Sequence, residues 1–339
     1  MPDVGAPELL AGVVLVALTF YVLFGGADFG GGVWDLLASG PRKAAQRALI
    51  ADSIGPVWEA NHVWLILVVV ILFTCFPPAF ARLSVTLHLP LTLMLVGIVA
   101  RGSAFTFRSY DRQDDDVQRR WGLVFAVASV VTPVFLGICV GTIAMGHVPP
   151  APSGTFVDAY VRPWLGAFQL GVGLLALALF AFLAAVYLTM EATDHALRED
   201  FRRRALVSGG VVFVASFGTL LLARTAAPLV WESLLRSAQA VPYQAVTAVA
   251  AITTLAALWL RRWRLARTAV ALQVALIVAG WGLAQYPYLL PPTLTVRDAA
   301  APAVTLRLVL VALAAGAVVL FPSLAYLFRI FKSTRTTAA

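Results

Sequence analysis

The amino-acid sequence predicts an all-α protein that crosses a membrane about nine times. Of its 339 residues, 60% are apolar and 12% are charged, and the mean hydropathy is +0.87. Soluble domains are about 45–50% apolar and about 25% charged. Long apolar runs recur along the chain, and each can cross about 30 Å of hydrocarbon as a helix. Basic residues gather in alternate connections between these runs.

The connections between the predicted spans are too short to hold a soluble domain. The boundary between the second and third spans rests on Pro77 and Pro78. Because proline breaks helices and favours turns, this pair predicts a tight hairpin outside the membrane. The spans are predicted at 7–26, 55–76, 79–107, 121–146, 163–190, 205–226, 242–260, 268–286 and 303–331.

The distribution of basic residues predicts the orientation. Nineteen of the 25 lysines and arginines fall on one side of the predicted spans. The positive-inside rule therefore places the N-terminus outside and the C-terminus in the cytoplasm, and an odd number of spans agrees with this. The net charge of +8 does not indicate a nucleic-acid partner, because the basic residues lie in short loops and form no exposed basic domain.

Neither the cysteines nor the histidines predict a metal or haem site. The two cysteines lack the spacing of metal ligands. His62 and His88 are the histidines within predicted spans, whereas His147 and His195 lie at span ends. A bis-histidine haem needs two axial ligands at one depth, and His62 and His88 are predicted to differ by about 6 Å. His88 is expected to be a hydrogen-bonded core residue or a partner for a quinone.

Three ionisable residues, Asp52, Glu59 and His62, enter the second span and form what we term the polar column. Glu59 and His62 are three residues apart and share a helix face, and Asp52 lies on roughly the same stripe. An ionisable residue inside a membrane costs about 2.5–3.5 kcal/mol and indicates function. Because carboxylates and imidazoles hold and release protons, the column predicts a proton path from the cytoplasmic surface toward mid-membrane.

Several neighbours are predicted to belong to this path or to support it. Trp58, Asn61 and Trp64 lie beside the column in sequence. Asp28 is predicted to join the path, because the glycines around it allow another helix or a water-filled entry to come close. Asp35, near the same helix end, is expected to be solvated.

Arg101, in the third span, is the nearest counter-charge to these carboxylates by predicted depth. It can neutralise Glu59 or Asp28, or it can extend toward the lipid headgroups. Alternatively, Glu59 and His62 pair with one another or with Arg101 for purely structural reasons.

A second polar cluster, Glu191, Asp194 and His195, closes the fifth predicted span. Glu191 and His195 share a helix face, so they could form a second cytoplasmic entry. A solvated helix end is the favoured interpretation.

Two motifs resemble those of subunit II of the cytochrome bd-type quinol oxidases. GGADFGGGVWDLLA is similar to the family's Gly-Phe-Asp-Leu-Gly-Val-Gly segment, and SIGPVWEANHVWL is similar to its Trp-Asp-Gly-Asn-Gln/Glu-Val-Trp-Leu motif. Arg101 matches an arginine of the third span. This chain departs from the pattern with Glu59-Ala60 in place of Asp-Gly, Ala27 in place of Phe, and His62 in place of Gln or Glu.

The resemblance implies one integral-membrane domain over residues 1–339. It would consist of a four-helix bundle with the polar column in 1–146, followed by a second bundle and a peripheral final helix in 147–339. It also implies that Glu59 lies on a proton route from the cytoplasm to an oxygen-reducing haem. Asp28, Asn61, Trp64 and Arg101 are carried over by position as lining or support of that route.

The resemblance further implies a partner, subunit I, which binds two b-type haems and one d-type haem and oxidises quinol. This chain would bind no haem itself and would lie in the bacterial inner membrane. Small additional membrane subunits and a bound lipid or quinone are compatible with the resemblance, which does not specify which quinone the complex uses.

Two functions of other classes remain open. The same column could serve a proton-coupled transporter, or the chain could be a structural scaffold for subunit I. Against the transporter, the sequence lacks the matching halves typical of transporter folds, and its intramembrane polar residues crowd into the first three predicted spans.

Overall fold

The structure, a computed structural model, describes residues 5–110 and 115–333, with side chains for all of these except 54–60, 108–110, 115–119, 325 and 327–333. The described chain is helical apart from one short hairpin, β1 (Tyr288–Leu290) and β2 (Leu294–Thr295). The helices are α1 (Ala6–Leu36), α2 (Lys43–Cys75), α3 (Pro77–Thr86), α4 (His88–Tyr110), α5 (Asp115–Met145), α6 (Phe156–Tyr160), α7 (Ala167–Glu191), α8 (His195–Ala226), α9 (Pro228–Arg236), α10 (Ala240–Trp259), α11 (Trp263–Gln285) and α12 (Ala303–Ser333).

Within the described residues, eight helices are long and apolar enough to cross a membrane, and a bent helix pair raises the number to nine. This agrees with the prediction of about nine spans. The eight are α1, α4, α5, α7, α8, α10, α11 and α12, in whole or in large part. The orientation of the termini and the division into two bundles stay predictions.

The bent pair corrects the predicted hairpin at Pro77 and Pro78. The segment Asn61–Cys75 of α2 meets α3 at an angle of 118°. The two prolines occupy the first turn of α3, where their missing N–H groups cost nothing and their fixed φ suits a helix. The predicted span 79–107 is therefore divided, because α3 ends at Thr86 and α4 begins at His88.

His88 consequently lies at the start of α4 and not inside a span as predicted. Its Nδ1 atom is 2.9 Å from the carbonyl oxygen of Val85, and its ring meets the ring of Tyr160 edge-on at 4.9 Å. The ring is thus held by a local hydrogen-bonding contact and by an aromatic neighbour from α6.

Helix α1 occupies the centre of the structure and contacts α2, α5, α7, α11 and α12. Its glycine-rich end makes this possible. A Cβ atom at Gly30 would lie 2.0 Å from the carbonyl oxygen of Phe180 in α7, and one at Gly32 would lie 2.1 Å from Ser129 Oγ in α5. Trp34 then ties the end of α1 to α7 by donating a hydrogen bond of 2.7 Å to the carbonyl oxygen of Ala181. Only glycine permits such close approach of helices.

A buried polar site between α1, α2, α4 and α5

The centre of the candidate site is an ion pair between Asp28 of α1 and Arg101 of α4. Arg101 Nη1 lies 2.6 Å from Asp28 Oδ2, and Nη2 lies 2.5 Å from Oδ1. Nη2 also donates to the backbone carbonyl of Asp28 at 2.9 Å. Asp28 is 0% and Arg101 1% exposed, so the pair lies wholly inside the protein. Bidentate geometry of this kind is the strongest arrangement that the two groups can adopt.

Helix α5 completes the surroundings of Arg101. Its Nε atom donates to Ser129 Oγ at 2.9 Å, and Ser129 in turn donates to the carbonyl oxygen of Phe125. The guanidinium carbon lies 4.8 Å from the ring centre of Phe29 and 4.7 Å from that of Phe125, so aromatic faces flank the cation. The alternative in which Arg101 extends to the headgroups is therefore wrong, and Arg101 binds Asp28, one of the two carboxylates considered for it.

Asp35 is also buried, at 2% exposure, which corrects the prediction of a solvated carboxylate. Arg47 of α2 lies 3.6 Å from its Oδ1 atom and 3.3 Å from its backbone oxygen. The physical reason is that α2 starts at Lys43, well before the apolar run at 55. Its polar first turns therefore cover the end of α1.

The polar column lies on a single helix, α2, as predicted. Asp52 is exposed, and His62 is half-buried and lies within electrostatic range of Asp28. The side chains of Trp58 and Glu59 lie outside the described residues, although their backbone is part of α2. The structure thus brings His62 toward the Asp28–Arg101 pair and leaves Asp52 at the surface.

Asn61 and Trp64 face α1. A Cβ atom at Gly25 would lie 3.0 Å from Asn61 Nδ2, so the amide packs directly on the α1 backbone. Trp64 stacks on Phe20, with ring centres 4.4 Å apart and an angle of 20° between the rings. Both side chains are buried, and their supporting role stays a prediction.

Tyr21 is a polar residue of this region that the sequence analysis missed. It lies seven residues before Asp28 on α1, hence on the same helix face, and it interacts electrostatically with Asp28 and Arg101. The available signal was this heptad spacing of Tyr21, Asp28 and Asp35. It was overlooked because a tyrosine in an apolar run is normally a packing residue.

The second polar cluster separates in the structure. Glu191 Oε1 lies 3.5 Å from Arg267 Nη1, and both line a small cavity of about 60 Å³ together with Ser53 and Tyr187. His195 is exposed, and Asp194 caps α8 by accepting a hydrogen bond of 2.9 Å from the backbone N–H of Leu197. Asp194 and His195 thus form a solvated helix end, which was the favoured interpretation, whereas Glu191 faces Arg267 of α11.

The structure also contains a large apolar cavity of about 450 Å³. Helices α5, α7, α8, α10 and α11 supply most of its wall. Most of its lining is aliphatic or phenylalanine, and the residues with polar side-chain groups are Ser216, Thr219, Tyr243, Gln244, Thr247, Gln273 and Trp281. Among the described residues, no group of three or more His, Cys, Asp or Glu side chains is placed to hold a metal ion.

A family model described as cytochrome bd terminal oxidase subunit II matches residues 6–331. The chain belongs to this family. The resemblance seen in the two motifs is thereby confirmed, and so is the prediction of an all-helical, multi-pass membrane protein.

Individual relatives agree with this assignment. Cytochrome bd ubiquinol oxidase subunit 2 of Bacillus subtilis (strain 168) is 28% identical over 206 residues, which is 60% of this chain. Cytochrome bd-I ubiquinol oxidase subunit 2 of Escherichia coli (strain K12) is 27% identical over 191 residues, or 54% of this chain. These alignments span 59% and 47% of the relatives' own lengths, about half.

A solved structure shows the same fold. A chain of the bd oxidase from Geobacillus thermodenitrificans superposes with a TM-score of 0.74 at 22% identity. The match covers 96% of this chain and 98% of the other. The helical arrangement described above is therefore shared over almost the full length of both chains.

Proposed function

We propose that this chain is subunit II of a bd-type quinol:oxygen oxidoreductase in a bacterial cell membrane. A haem-bearing subunit I would oxidise quinol and reduce oxygen to water. The present chain would support that subunit and guide cytoplasmic protons toward the oxygen-reduction site. Membership of the subunit II family over residues 6–331 supports the assignment, as do the names of its relatives.

One observation carries the proton role. Helix α2 has an exposed carboxylate, Asp52, at one level and an imidazole, His62, deeper in the protein beside a fully buried ion pair. Glu59 lies between them on the same helix. We assign proton transfer to Asp52, Glu59 and His62, because both group types bind and release protons.

Asp28 is assigned an electrostatic role beside the path and does not itself transfer protons. Both of its carboxylate oxygens already accept hydrogen bonds from Arg101. A proton on Asp28 would have to break this bidentate pair inside the protein. The pair therefore serves as a fixed electrostatic element beside His62, with Asn61 and Trp64 packed next to it against α1.

The experiment is the Glu59→Gln substitution in the purified oxidase complex. The amide keeps the shape of the side chain and cannot carry a proton. We expect unchanged assembly and haem content, with oxygen consumption reduced by about 100-fold, the lower end of the usual contribution of a proton-transferring side chain. Wild-type turnover in this variant would refute the proton role and would leave the scaffold function as the explanation.

The apolar cavity supports a second role, the binding of a lipid chain or quinone. Ligand pockets are typically apolar and about 300–1,000 Å³, with a few polar groups that orient the ligand. The 450 Å³ cavity with Tyr243, Gln273 and Trp281 has this character. The Ala251→Phe substitution places a phenyl ring in part of the cavity. Mass spectrometry of extracts from this variant should show less quinone or phospholipid than extracts from wild type.

Ala314→Phe, on the exposed face of α12, is the matched control for this measurement. Equal ligand content in wild type and both variants would refute cavity binding. The class of molecule that is lost from Ala251→Phe would distinguish a quinone from a phospholipid.

A further inference from the structure

Three buried polar side chains at the α1–α2 interface have no hydrogen-bond partner among the described residues. They are the hydroxyl of Tyr21, the amide of Asn61 and the indole N–H of Trp64. The residues are 1%, 1% and 4% exposed, respectively. An unpaired buried polar group costs about 1–3 kcal/mol, so three at one helix interface are a large deviation from ordinary packing.

Two contacts place the three residues at neighbouring levels of the α1–α2 interface. Gly25 packs on Asn61, and Phe20 stacks on Trp64, so residue numbers rise along α2 as they fall along α1. In this antiparallel register Tyr21 lies level with Trp64 and about one helical turn from Asn61. Asn61 and Trp64, three residues apart, share a face of α2.

Three other aromatic polar groups, one buried and two half-buried, donate to backbone carbonyl groups. Trp34 Nε1 donates to Ala181 at 2.7 Å, Trp164 Nε1 donates to Tyr160 at 2.6 Å, and the Tyr243 hydroxyl donates to Leu276 at 2.5 Å. A further tryptophan with an unpaired indole N–H, Trp281, lines the large cavity. The Trp281 indole therefore lies where a small molecule can supply the missing partner.

We propose that Tyr21, Asn61 and Trp64 bind internal water, about one or two molecules, at the deep end of the proton route. Water is the ligand that suits this donor set. The Trp64 N–H donates to the water oxygen, the water donates to Asn61 Oδ1, and the Tyr21 hydroxyl supplies a third partner, within the two to four that buried waters use. Tyr21 lies fifteen residues from either end of α1, so the site is at mid-helix depth.

The inference rests on the proposed proton role and extends it. A proton that the His62 ring releases binds to the water oxygen, and the water releases one of its own protons toward the oxygen-reduction site of subunit I, where the reduction of oxygen to water consumes it. The water and the imidazole are thereby left neutral. Tyr21 is a positioning residue in this step, because it orients the water that carries the proton. The route thus continues past His62 without requiring Asp28 to leave Arg101.

The test uses the intact oxidase complex with the Tyr21→Phe substitution, which removes one hydroxyl and leaves the ring. We expect normal haem content, oxygen consumption lowered about tenfold, and a larger solvent isotope effect in D2O, because proton transfer becomes more rate-limiting. Tyr326→Phe is the matched control, since Tyr326 is 68% exposed on α12. A merely structural role of Tyr21 would not increase the isotope effect.

Trp64→Phe removes the indole N–H, keeps a ring against Phe20, and should give the same result if Tyr21→Phe does not assemble. A density map of the wild-type complex that resolves waters should show one within hydrogen-bonding distance of Tyr21 Oη. Absence of that water, or a wild-type rate and isotope effect in the variants, would overturn the inference. If Glu59→Gln is slow in the same assay while these variants are not, the proton role stands and the water site alone is refuted.

Discussion

The polar site between α1, α2, α4 and α5 and the apolar cavity lined mainly by α5, α7, α8, α10 and α11 differ in what their packing must accommodate. The first encloses two full charges, Asp28 and Arg101, and surrounds them with hydrogen bonds and aromatic rings. The second encloses about 450 Å³ with largely aliphatic walls. Charges inside a membrane protein need close partners, whereas an apolar cavity can remain accessible to an apolar molecule without electrostatic cost.

The difference shows where each region tolerates change. In the polar site, glycines bring the helices together, and every charged atom of the central pair has a defined partner. Removal of one partner leaves a buried charge. In the cavity, polar atoms such as Gln273 Oε1 have no hydrogen-bond partner among the described residues, so loss of such a group leaves nothing unpaired.

The largest effect is expected for Arg101→Ala in the polar site. The substitution leaves the Asp28 carboxylate buried without a counter-charge and empties the space between Phe29 and Phe125. Breaking a buried pair in this way costs about 3–5 kcal/mol. We expect a large loss of assembled complex and a lower Tm by calorimetry. Arg236→Ala, at an exposed position on α9, is the control and should leave Tm unchanged. Equal Tm values for the two variants would contradict the importance of the buried pair.

A smaller but clear loss of stability is expected for Gly30→Ala. The added methyl group would lie 2.0 Å from the carbonyl oxygen of Phe180, so α1 and α7 must separate. Overpacking of this type costs about 1–3 kcal/mol. Gly316→Ala on α12 is the matched control, because its Cβ would have no neighbour within 4 Å. Thermal unfolding of both variants measures the difference, and a Gly30→Ala protein as stable as the control would show that α1 and α7 are not closely packed there.

The smallest effect is expected for Gln273→Leu at the cavity wall. This substitution removes a buried amide whose oxygen is unpaired and replaces it with an apolar group of similar size. Removal of the unpaired amide oxygen offsets any packing contacts that the substitution loses. We therefore expect Tm to stay within a few degrees of wild type or to rise slightly. A marked decrease in Tm would mean that Gln273 has a binding partner in the complex, and the two regions would then differ less than described.

Much of the polar site could be predicted from the sequence. The spacing of Asp52, Glu59 and His62 placed them on one helix, and the intramembrane location of Asp28 and Arg101 marked both as requiring partners. The sequence left open which carboxylate Arg101 binds, because depth along a helix does not specify which helices are adjacent. Asp35 was predicted to be solvated for a related reason. The first turns of α2, which cover it, are polar, so the pattern of apolar residues did not show that a helix begins there.

The sequence by itself determined that this chain is a helical membrane protein with about nine spans and a glycine-rich first helix. These properties follow from local hydrophobicity, because the bilayer stabilises each apolar run as a helix independently of its neighbours. The tertiary structure alone decided the pairing of Arg101 with Asp28 and the bend at Phe76 between α2 and α3. The ion pair joins helices that are far apart in sequence, so it depends on their register and distance, which the packing of α1 sets.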